Sequence, residues 1–359
     1  MGNVRYRRRN IDIMKNKKNF IVQMLLCCGL SILICGCTDS RYSKSPLADA
    51  VIRNNTDWLD TDLQPIMAHA GSISRFDGVF YWYGSSYANN PTGLYGAKHS
   101  EKNNGFNLYT SNDLVNWKYN GSVLDIPQSG WGSLGTSHGP YVIYNDKTTK
   151  YVMWFFQYTY KYPDVFATVA FADKPTGPFV ILGRRKTAAP NGYAQDLSVF
   201  KDDDQKAYLV YDDGRRNISV DLLSDDYLHS TSKTVIALTA RQEAPAMIKY
   251  KGKYIVAGSG VRGWNATETH YAVADSPLGP YSAKKQMSEQ KTWNSQIRHF
   301  VYLAESDLVF AMCDSWWIPD KKDLNASRYL WLPITFDPKT NTAKMLYQEN
   351  WPPFNFKPF

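Results

Sequence analysis

Five polar side chains stand at equivalent places along the chain, each at the start of an apolar segment. They are His69 in MAHAGSI, His138 in SHGPYVIY, Asp196 in AQDLSVF, Glu243 in QEAPAMIKY and Gln296 in NSQIRHF. Each precedes the aromatic centre of a second apolar segment by about 11 to 14 residues, a spacing typical of a strand, a turn and a second strand. The constant spacing predicts that the five side chains occupy one position in five copies of the same structural unit.

Asp196 and Glu243 are the pair best suited to chemistry. Two carboxyl groups that share a partly desolvated site raise each other's pKa, so one stays protonated at neutral pH and can act as a general acid. Glycoside hydrolysis needs such a group, because the leaving oxygen must be protonated as positive charge develops on the sugar. His69 and His138 are predicted as substrate contacts, with a packing role as the open alternative. Gln296 alone indicates little.

The elements that would position these side chains form a repeat. Five aromatic and β-branched segments follow turn signals, which predicts five hairpins: VFYWYG, KYVMWFFQY, KAYLVY, KYIVAG and LVFAMC. Successive copies are separated by about 46 to 70 residues, the range typical of propeller blades. We therefore predict an all-β fold, a five-bladed β-propeller, in which the five polar heads meet at one mouth of the channel. A β-sandwich is the alternative, but it gives no reason for the hairpin to recur.

The start of the chain has the pattern of an exported lipoprotein. A basic stretch precedes the apolar run FIVQMLLCCGLSILICG and Cys37, which indicates a signal peptide over residues 1–36 with Cys37 as the lipidated residue. A membrane-spanning anchor is the alternative, although about 17 apolar residues are marginal for crossing a bilayer. We expect residues 37–60 to form a linker, residues 61–359 to form the catalytic propeller, and the protein to be anchored in a bacterial cell envelope.

Charge and cysteine content exclude several function classes. The formal net charge of the whole chain is +8, but the predicted leader carries seven bases and one acid, so the remainder has only +2. Nucleic-acid binding is therefore not expected. Cys313 is the one cysteine after Cys37, which excludes an intrachain disulfide or cysteine metal site in the exported part. With no phosphate-binding loop or nucleophile elbow, we expect no cofactor. We also expect a monomer.

A second acidic motif has a plainer interpretation. Asp212 and Asp213 follow the third aromatic segment, where a turn is expected. Aspartate is common in turns, so these residues are interpreted as solvated turn residues and not as calcium ligands.

Several longer motifs resemble glycoside hydrolase family 43, and most closely its exo-β-1,3-galactanase-like branch. The resemblance covers roughly residues 64 to 335 and rests on an ordered set of motifs: AQDLSVFKDDDQKAYLVY, QEAPAMIKYKGKYIVAGSG, RGWNATETHYAVADSPLGPY and TWNSQIRHFVYL. It implies a five-bladed propeller that inverts the anomeric configuration. By motif, Glu243 falls on the general acid and Asp196 on the acid that orients it and tunes its pKa. Gln296 falls on the residue assigned the base role in that branch, where an amide would position water.

The resemblance also implies substrate contacts and some departures. Trp264 is the candidate stacking platform for a terminal sugar, with a packed core tryptophan as the alternative, and Asn265 and Trp82 are further predicted contacts. Most family members carry an aspartate near the head of the first blade, where this chain reads AHAGSI. Ser85 and Ser137 stand where the branch commonly has glutamates. A calcium ion in the channel, through a histidine such as His299, is the one metal that the family leaves open.

Together these observations predict an exo-acting, inverting glycoside hydrolase that removes a terminal sugar, with galactose favoured, from a plant-type polysaccharide. Terminal arabinofuranose or xylose is the alternative substrate. The rival from another class is a glycan-binding lipoprotein on a catalytically degenerate propeller, which the missing first-blade acid favours.

Overall fold

Strand after strand pairs with its sequence neighbour, so each sheet is built from one continuous stretch of chain. The computed structural model describes residues 46–87, 105–126, 128–131, 137–158, 165–316 and 324–357. In these residues five four-stranded antiparallel sheets follow one another. The innermost strand of each sheet contacts that of the next, and the last contacts the first. The five sheets form a five-bladed β-propeller, as the repeat predicts.

The blades have the following strands. Blade 1 contains β2 (His69–Phe76), β3 (Val79–Ser86), β4 (Gly105–Ser111) and β5 (Lys118–Leu124). Blade 2 contains β6 (Ser137–Asn145), β7 (Lys150–Tyr158), β8 (Val165–Ala172) and β9 (Val180–Arg185). Blade 3 contains β10 (Gln195–Lys201), β11 (Ala207–Asp212), β12 (Ile218–Leu223) and β13 (Ser230–Leu238). Blade 4 contains β14 (Gln242–Tyr250), β15 (Lys253–Gly260), β16 (Thr269–Ala274) and β17 (Lys285–Gln286). Blade 5 contains β18 (Gln296–Leu303), β19 (Leu308–Ser315), β20 (Arg328–Asp337) and β21 (Thr342–Met345).

The core lies between the blades. Successive strand residues point to opposite faces, so one face of a blade packs on the preceding blade and the other face on the following blade. Trp82 and Tyr83 show the rule, because Trp82 packs toward blade 5 and Tyr83 packs toward blade 2. Five large clusters of buried apolar side chains result, one at each junction between neighbouring blades. Both faces of a blade are therefore apolar, which explains why the strands read as nearly continuous hydrophobic runs.

The ring closes at a seam between blades 5 and 1, which are not consecutive in the chain. A two-stranded clasp pairs β1 (Ile52–Arg53) with β22 (Asn350–Trp351) beside this seam. Trp331 and Trp351 of the C-terminal part pack there with Ile52 and Trp82. Residues 50–60, which the sequence pattern assigns to a linker, thus contribute to the seam of the propeller. None of the described helices is long and apolar enough to cross a membrane.

A few short helical turns lie outside the strands in the described residues. Short 3-10 turns cover Pro46–Asp49, Pro190–Gly192 and Leu324–Ala326. The segment α1 (Gln290–Asn294) lies directly before β18 and has positive φ angles at all five residues. A left-handed turn of non-glycine residues costs conformational energy. The buried Thr292 hydroxyl holds this turn through Ser288 Oγ (2.8 Å) and the Thr267 carbonyl (2.8 Å).

Candidate active site

The innermost strands begin at or beside the five predicted head residues. All five of these strands carry a register shift within four residues of their start, the mark of a β-bulge. In four blades a residue with positive φ stands at the bulge: Ala70, Gly139, Asp196 and Ala244, with φ between 45° and 66°. A bulge re-aims a side chain. Among these four residues only Asp196 has a carboxylate, and the bulge directs this carboxylate to the channel mouth.

One depression lies at this mouth, with a volume of about 320 Å³ including its open end. Blades 1, 2, 3 and 5 contribute head or bulge residues to its wall, and blade 4 contributes Trp264 from the loop after β15. The lining is largely aromatic, with three charged or amide side chains: Ala70, Tyr87, His138, Phe156, Tyr158, Asp196, Trp264, Gln296, Arg298 and Trp316. An aromatic wall with a few convergent polar groups is typical of a carbohydrate or other small-ligand pocket.

Glu243 lies beside the pocket and carries the most informative electrostatics. Burial and, to a smaller extent, the charge of Asp196 raise its pKa to about 8 against the opposing effect of Arg216. Arg216 acts from a distance, since its Nη1 lies 3.7 Å from Glu243 Oε2 and only 2.8 Å from Asp212 Oδ2. Glu243 therefore holds a proton at neutral pH, as a general acid must.

Gln296 is bound firmly by its neighbours. Its Nε2 donates to Glu243 Oε1 (3.3 Å) and to Ser259 Oγ (3.0 Å). Its Oε1 accepts a hydrogen bond from Trp316 Nε1 (2.9 Å). Both amide hydrogens are thus used, and one oxygen lone pair remains to accept a hydrogen bond from a water molecule. The geometry suits Gln296 for positioning a water molecule.

Arg298 is a site residue that the sequence interpretation missed. It is 3% exposed, and its Nη1 lies 3.5 Å from Asp196 Oδ1, so a buried cation faces that carboxylate. Gly139 makes room for it, because a Cβ on Gly139 would lie 3.0 Å from Arg298 Nη2 and 2.9 Å from the Phe156 ring. Arg298 stands at the bulge of β18, two residues after Gln296, and this bulge is revealed by strand pairing and not by a signal in the sequence.

Two predicted substrate contacts reach the pocket, and three do not. His138 and Trp264 line it, and Trp264 packs edge-on against Trp316 at 4.9 Å. Trp82 is fully buried in the seam between blades 1 and 5, so its prediction as a sugar contact is wrong.

His69 and Asn265 also need correction. His69 is fully enclosed beneath the mouth, stacked between Tyr87 and Tyr329, and burial lowers its pKa to about 3. It is a neutral packing group, which was the open alternative. Asn265 is exposed and its amide donates to the Arg262 carbonyl of its own loop (3.3 Å), away from the pocket.

The acidic pair after the third aromatic segment differs from the interpretation as solvated turn residues. Asp212 and Asp213 are both buried. Asp212 forms the ion pair with Arg216, and burial raises its pKa to about 6. Its negative charge contributes to the raised pKa of Glu243. A turn signal alone could not show that this turn points toward the site.

The departures at Ser85 and Ser137 have a structural consequence. Both serines are buried and lie outside the pocket lining. The wall on the side of blades 1 and 2 is formed instead by Tyr87 and His138, joined by a 2.8 Å hydrogen bond between the Tyr87 hydroxyl and His138 Nδ1. Among the residues that the structure describes, this wall carries no acid.

The structure offers no metal site among the residues that it describes. No three His, Cys, Asp or Glu side chains within these ranges come together as ligands. His299 is half-buried, and its Nε2 lies 3.0 Å from the Ile73 carbonyl oxygen. These residues do not fit a calcium ion. Cys37 lies outside the described residues, and its lipidation stays a prediction.

Comparison with known proteins shows the family of this chain. Residues 89–318 match the profile described as Glycosyl hydrolases family 43, which is more than half of the chain. The chain belongs to glycosyl hydrolase family 43. This result confirms the family that the sequence motifs resemble, and with it a glycoside hydrolase at the level of the family.

Two solved structures and one curated relative are similar to this family 43 protein. A GH43 β-1,3-galactosidase solved with galactodeoxynojirimycin is 28% identical, with a TM-score of 0.73 over 84% of this chain and 99% of that one. An exo-β-1,3-galactanase from Phanerochaete chrysosporium, solved with galactose, is 30% identical, with a TM-score of 0.73 over 84% of this chain and 68% of that one. A β-D-galactofuranosidase of Aspergillus niger is 26% identical over 231 residues, and the match spans 60% of this chain and 63% of that relative.

Proposed function

We propose that this family 43 protein is an exo-acting, inverting glycoside hydrolase that removes a terminal sugar, with galactose favoured, from a plant-type polysaccharide such as β-1,3-galactan. One observation carries the proposal. A carboxyl group that is protonated at neutral pH, Glu243, lies against the Gln296 amide and near the Asp196 carboxylate, beside the aromatic pocket. The galactose-directed names of its relatives support the sugar.

Each residue has a distinct role in the proposed reaction. Glu243 donates its proton to the leaving glycosidic oxygen as that bond breaks. The negative charge of Asp196 raises the pKa of Glu243 and stabilises the positive charge of the oxocarbenium-like transition state. Gln296 accepts a hydrogen bond from the attacking water through its remaining Oε1 lone pair. An amide is a poor base, so its contribution is to position the water. The proton that this water loses on bonding to the anomeric carbon passes to solvent, and Glu243 takes up a proton from solvent before the next turnover.

A glycan-binding protein is the second candidate, and one observation favours it. Ala70 occupies at the first blade the bulge position that holds Asp196 in the third blade, so none of the described residues of blade 1 brings a carboxylate into the pocket. A pocket without a strong base can bind a sugar without cleaving it.

An assay with a panel of oligosaccharides separates the two candidates. We expect release of one monosaccharide at a time from the non-reducing end of β-1,3-galactan oligosaccharides, and slower or no release from arabinan and xylan. NMR of the first product should show the α-anomer from a β-galactoside, as inversion requires. Binding without release across the panel would establish the glycan-binding alternative, and a β-anomer as first product would contradict inversion.

Replacement of Trp264 by alanine tests the stacking platform. The indole borders the pocket from blade 4, and a sugar stacked on it would gain about 1 kcal/mol in both ground and transition states. We expect KM to rise roughly fivefold with a smaller change in kcat. Tyr119→Ala, an exposed aromatic on the outermost strand of blade 1, is the matched control. Equal effects of the two variants would remove Trp264 from the substrate site.

A further inference from the structure

A second ring of residues lies behind the heads of the innermost strands. These residues stand on the second strand of each blade, opposite the four heads His69, His138, Glu243 and Gln296 and, in blade 3, opposite Gln195, which directly precedes Asp196: Ser85, Phe156, Asp212, Ser259 and Asp314. Directly opposed residues of an antiparallel pair point to the same face, with Cβ atoms about 5 Å apart. Each member of this ring is thus placed to act on the first turn of its own blade or on the neighbouring blade. Ser259 does both, because its hydroxyl donates to the carbonyl of Glu243 opposite it (3.4 Å) and accepts from the Gln296 amide of the next blade (3.0 Å).

The ring contains two buried carboxyl groups in different surroundings. Asp212 is neutralised by Arg216, whose Nη1 lies 2.8 Å from its Oδ2. Asp314 instead accepts a hydrogen bond at Oδ2 from the backbone N–H of Ala70 (3.0 Å), across the seam between blades 5 and 1. Asp314 is 3% exposed. The proposed reaction uses the environment of Asp212 and leaves Asp314 without a role.

The partner of Asp314 is the position where a carboxylate is absent. Ala70 has φ 50° and Asp196 has φ 45°, and each stands at the bulge of its innermost strand. By this register Ala70 is the blade 1 counterpart of Asp196. The carboxyl group of Asp314 reaches the backbone of that residue from behind the pocket wall.

Asp314 also stands opposite the water-positioning amide of Gln296. Gln296 on β18 and Asp314 on β19 are directly opposed, so their side chains share one face of blade 5. Two residues further along, Trp316 points to the same face and donates to Gln296 Oε1 (2.9 Å). The Asp314 carboxyl therefore lies behind a stretch of pocket wall formed by Ala70, Gln296 and Trp316.

We infer that Asp314, in its charged form, is the positioning residue for the attacking water and supplies from blade 5 the negative charge that blade 1 lacks at Ala70. It acts through Gln296 and across Ala70, and it makes no bond to the sugar. A fixed negative charge behind this wall attracts the positive charge that develops on the attacking water as its oxygen bonds to the anomeric carbon. This inference rests on the proposed function.

The charges around Asp314 support this role. Burial raises its pKa to about 7, while the Arg298 guanidinium and the Ala70 N–H oppose that rise. The titratable groups that interact with it come from blades 1, 2 and 5: Tyr87, Tyr141, Arg298, Cys313 and Tyr329. Of these, only Arg298 is charged near pH 7. Protonation of Asp314 below about pH 7 would thus remove the negative charge from behind the water.

The pH profile of kcat/KM provides the test, with a substrate that the wild-type protein hydrolyses. We expect activity to fall below about pH 7 as Asp314 takes up a proton, and to fall again above about pH 8 as Glu243 loses one. Asp314→Asn should lower the maximum rate at least about tenfold and abolish the fall on the acidic side. A residue with a structural role only would lower the rate without changing the shape of the profile.

Two further variants keep the test decisive. Asp212→Asn, a matched buried acid of the same ring, should retain the acidic fall and move the alkaline fall to lower pH. Arg298→Gln should shift the acidic fall above pH 7, since it removes the cation that holds down the pKa of Asp314; this variant serves if Asp314→Asn does not fold. An active wild-type protein with a flat profile from pH 5 to 7 would overturn the inference alone. Absence of hydrolysis at every pH would overturn the proposed function, and the inference with it.

Discussion

Glu243→Gln should reduce kcat about a thousandfold on substrates with a sugar leaving group. The amide keeps the size of the side chain but has no proton to give, and general acid catalysis contributes about 10²- to 10⁴-fold. On aryl galactosides with an acidic phenol as leaving group, the loss should be much smaller because that group departs without protonation. Steady-state kinetics on the two substrate classes measures the difference.

The same variant should also change stability in a pH-dependent way. In the folded protein Glu243 keeps its proton up to about pH 8, whereas in the unfolded chain it ionises near its ordinary pKa of 4.5. The wild-type protein therefore loses stability as the pH rises from 4.5 to 8, and Glu243→Gln removes this loss. Its melting temperature should exceed that of the wild type at pH 8 and match it near pH 4.

Glu349→Gln is the control for both measurements, since Glu349 is exposed and its side chain lies outside the pocket lining. Near-wild-type turnover of Glu243→Gln on oligosaccharides would remove the general acid assignment. A melting temperature that does not depend on the variant at pH 8 would contradict the raised pKa.

Asp196→Asn is the second large effect that we expect, with kcat reduced about a hundredfold or more. Loss of this negative charge lowers the pKa of Glu243, so Glu243 should ionise at lower pH and the alkaline fall of activity should begin below pH 8. Arg298 would also lose its facing carboxylate at 3.5 Å. The pH profile of kcat/KM, measured beside that of wild type, reports both changes.

Asp204→Asn is the matched control, because Asp204 is an exposed acid at the tip of a hairpin in the same blade. We expect it to leave both the rate and the profile unchanged. If Asp196→Asn lowers the rate but its alkaline fall stays at pH 8, Asp196 does not tune the proton of Glu243, and its role is limited to binding.

The repeat made the fold and the heads of the strands predictable, because five hairpins with one residue pattern leave few architectures. The direction of individual side chains was harder to predict. Both faces of every blade are buried, so hydrophobic alternation cannot show that Trp82 faces the seam and not the pocket. The sequence position of Asp212 predicts a turn residue. The burial of its side chain beside Arg216 depends on contacts within the folded loop.

The bulges were invisible for a similar reason. A bulge shifts the register by one residue, and the residue that takes the positive φ there is not a glycine at Ala70, Asp196 or Ala244. The bulge at Asp196 decides which side chain of blade 3 reaches the mouth, and the bulge at Ala70 decides what blade 1 contributes. Arg298 and Asp314 became visible only once the strands were paired.

The seam between blades 5 and 1 links sugar binding in the pocket to the stability of the ring. Blades 1 and 5 meet without a connecting loop and are held by side-chain packing and by the two short strands of the clasp. The pocket lies across this junction, with Ala70 and Tyr87 on one side and Gln296, Arg298 and Trp316 on the other. A bound sugar would contact both sides of this junction. Because a ligand that binds only the closed ring stabilises it, the sugar would raise the free energy of opening the ring between blades 1 and 5. Sugar binding and closure of the propeller ring are therefore thermodynamically linked.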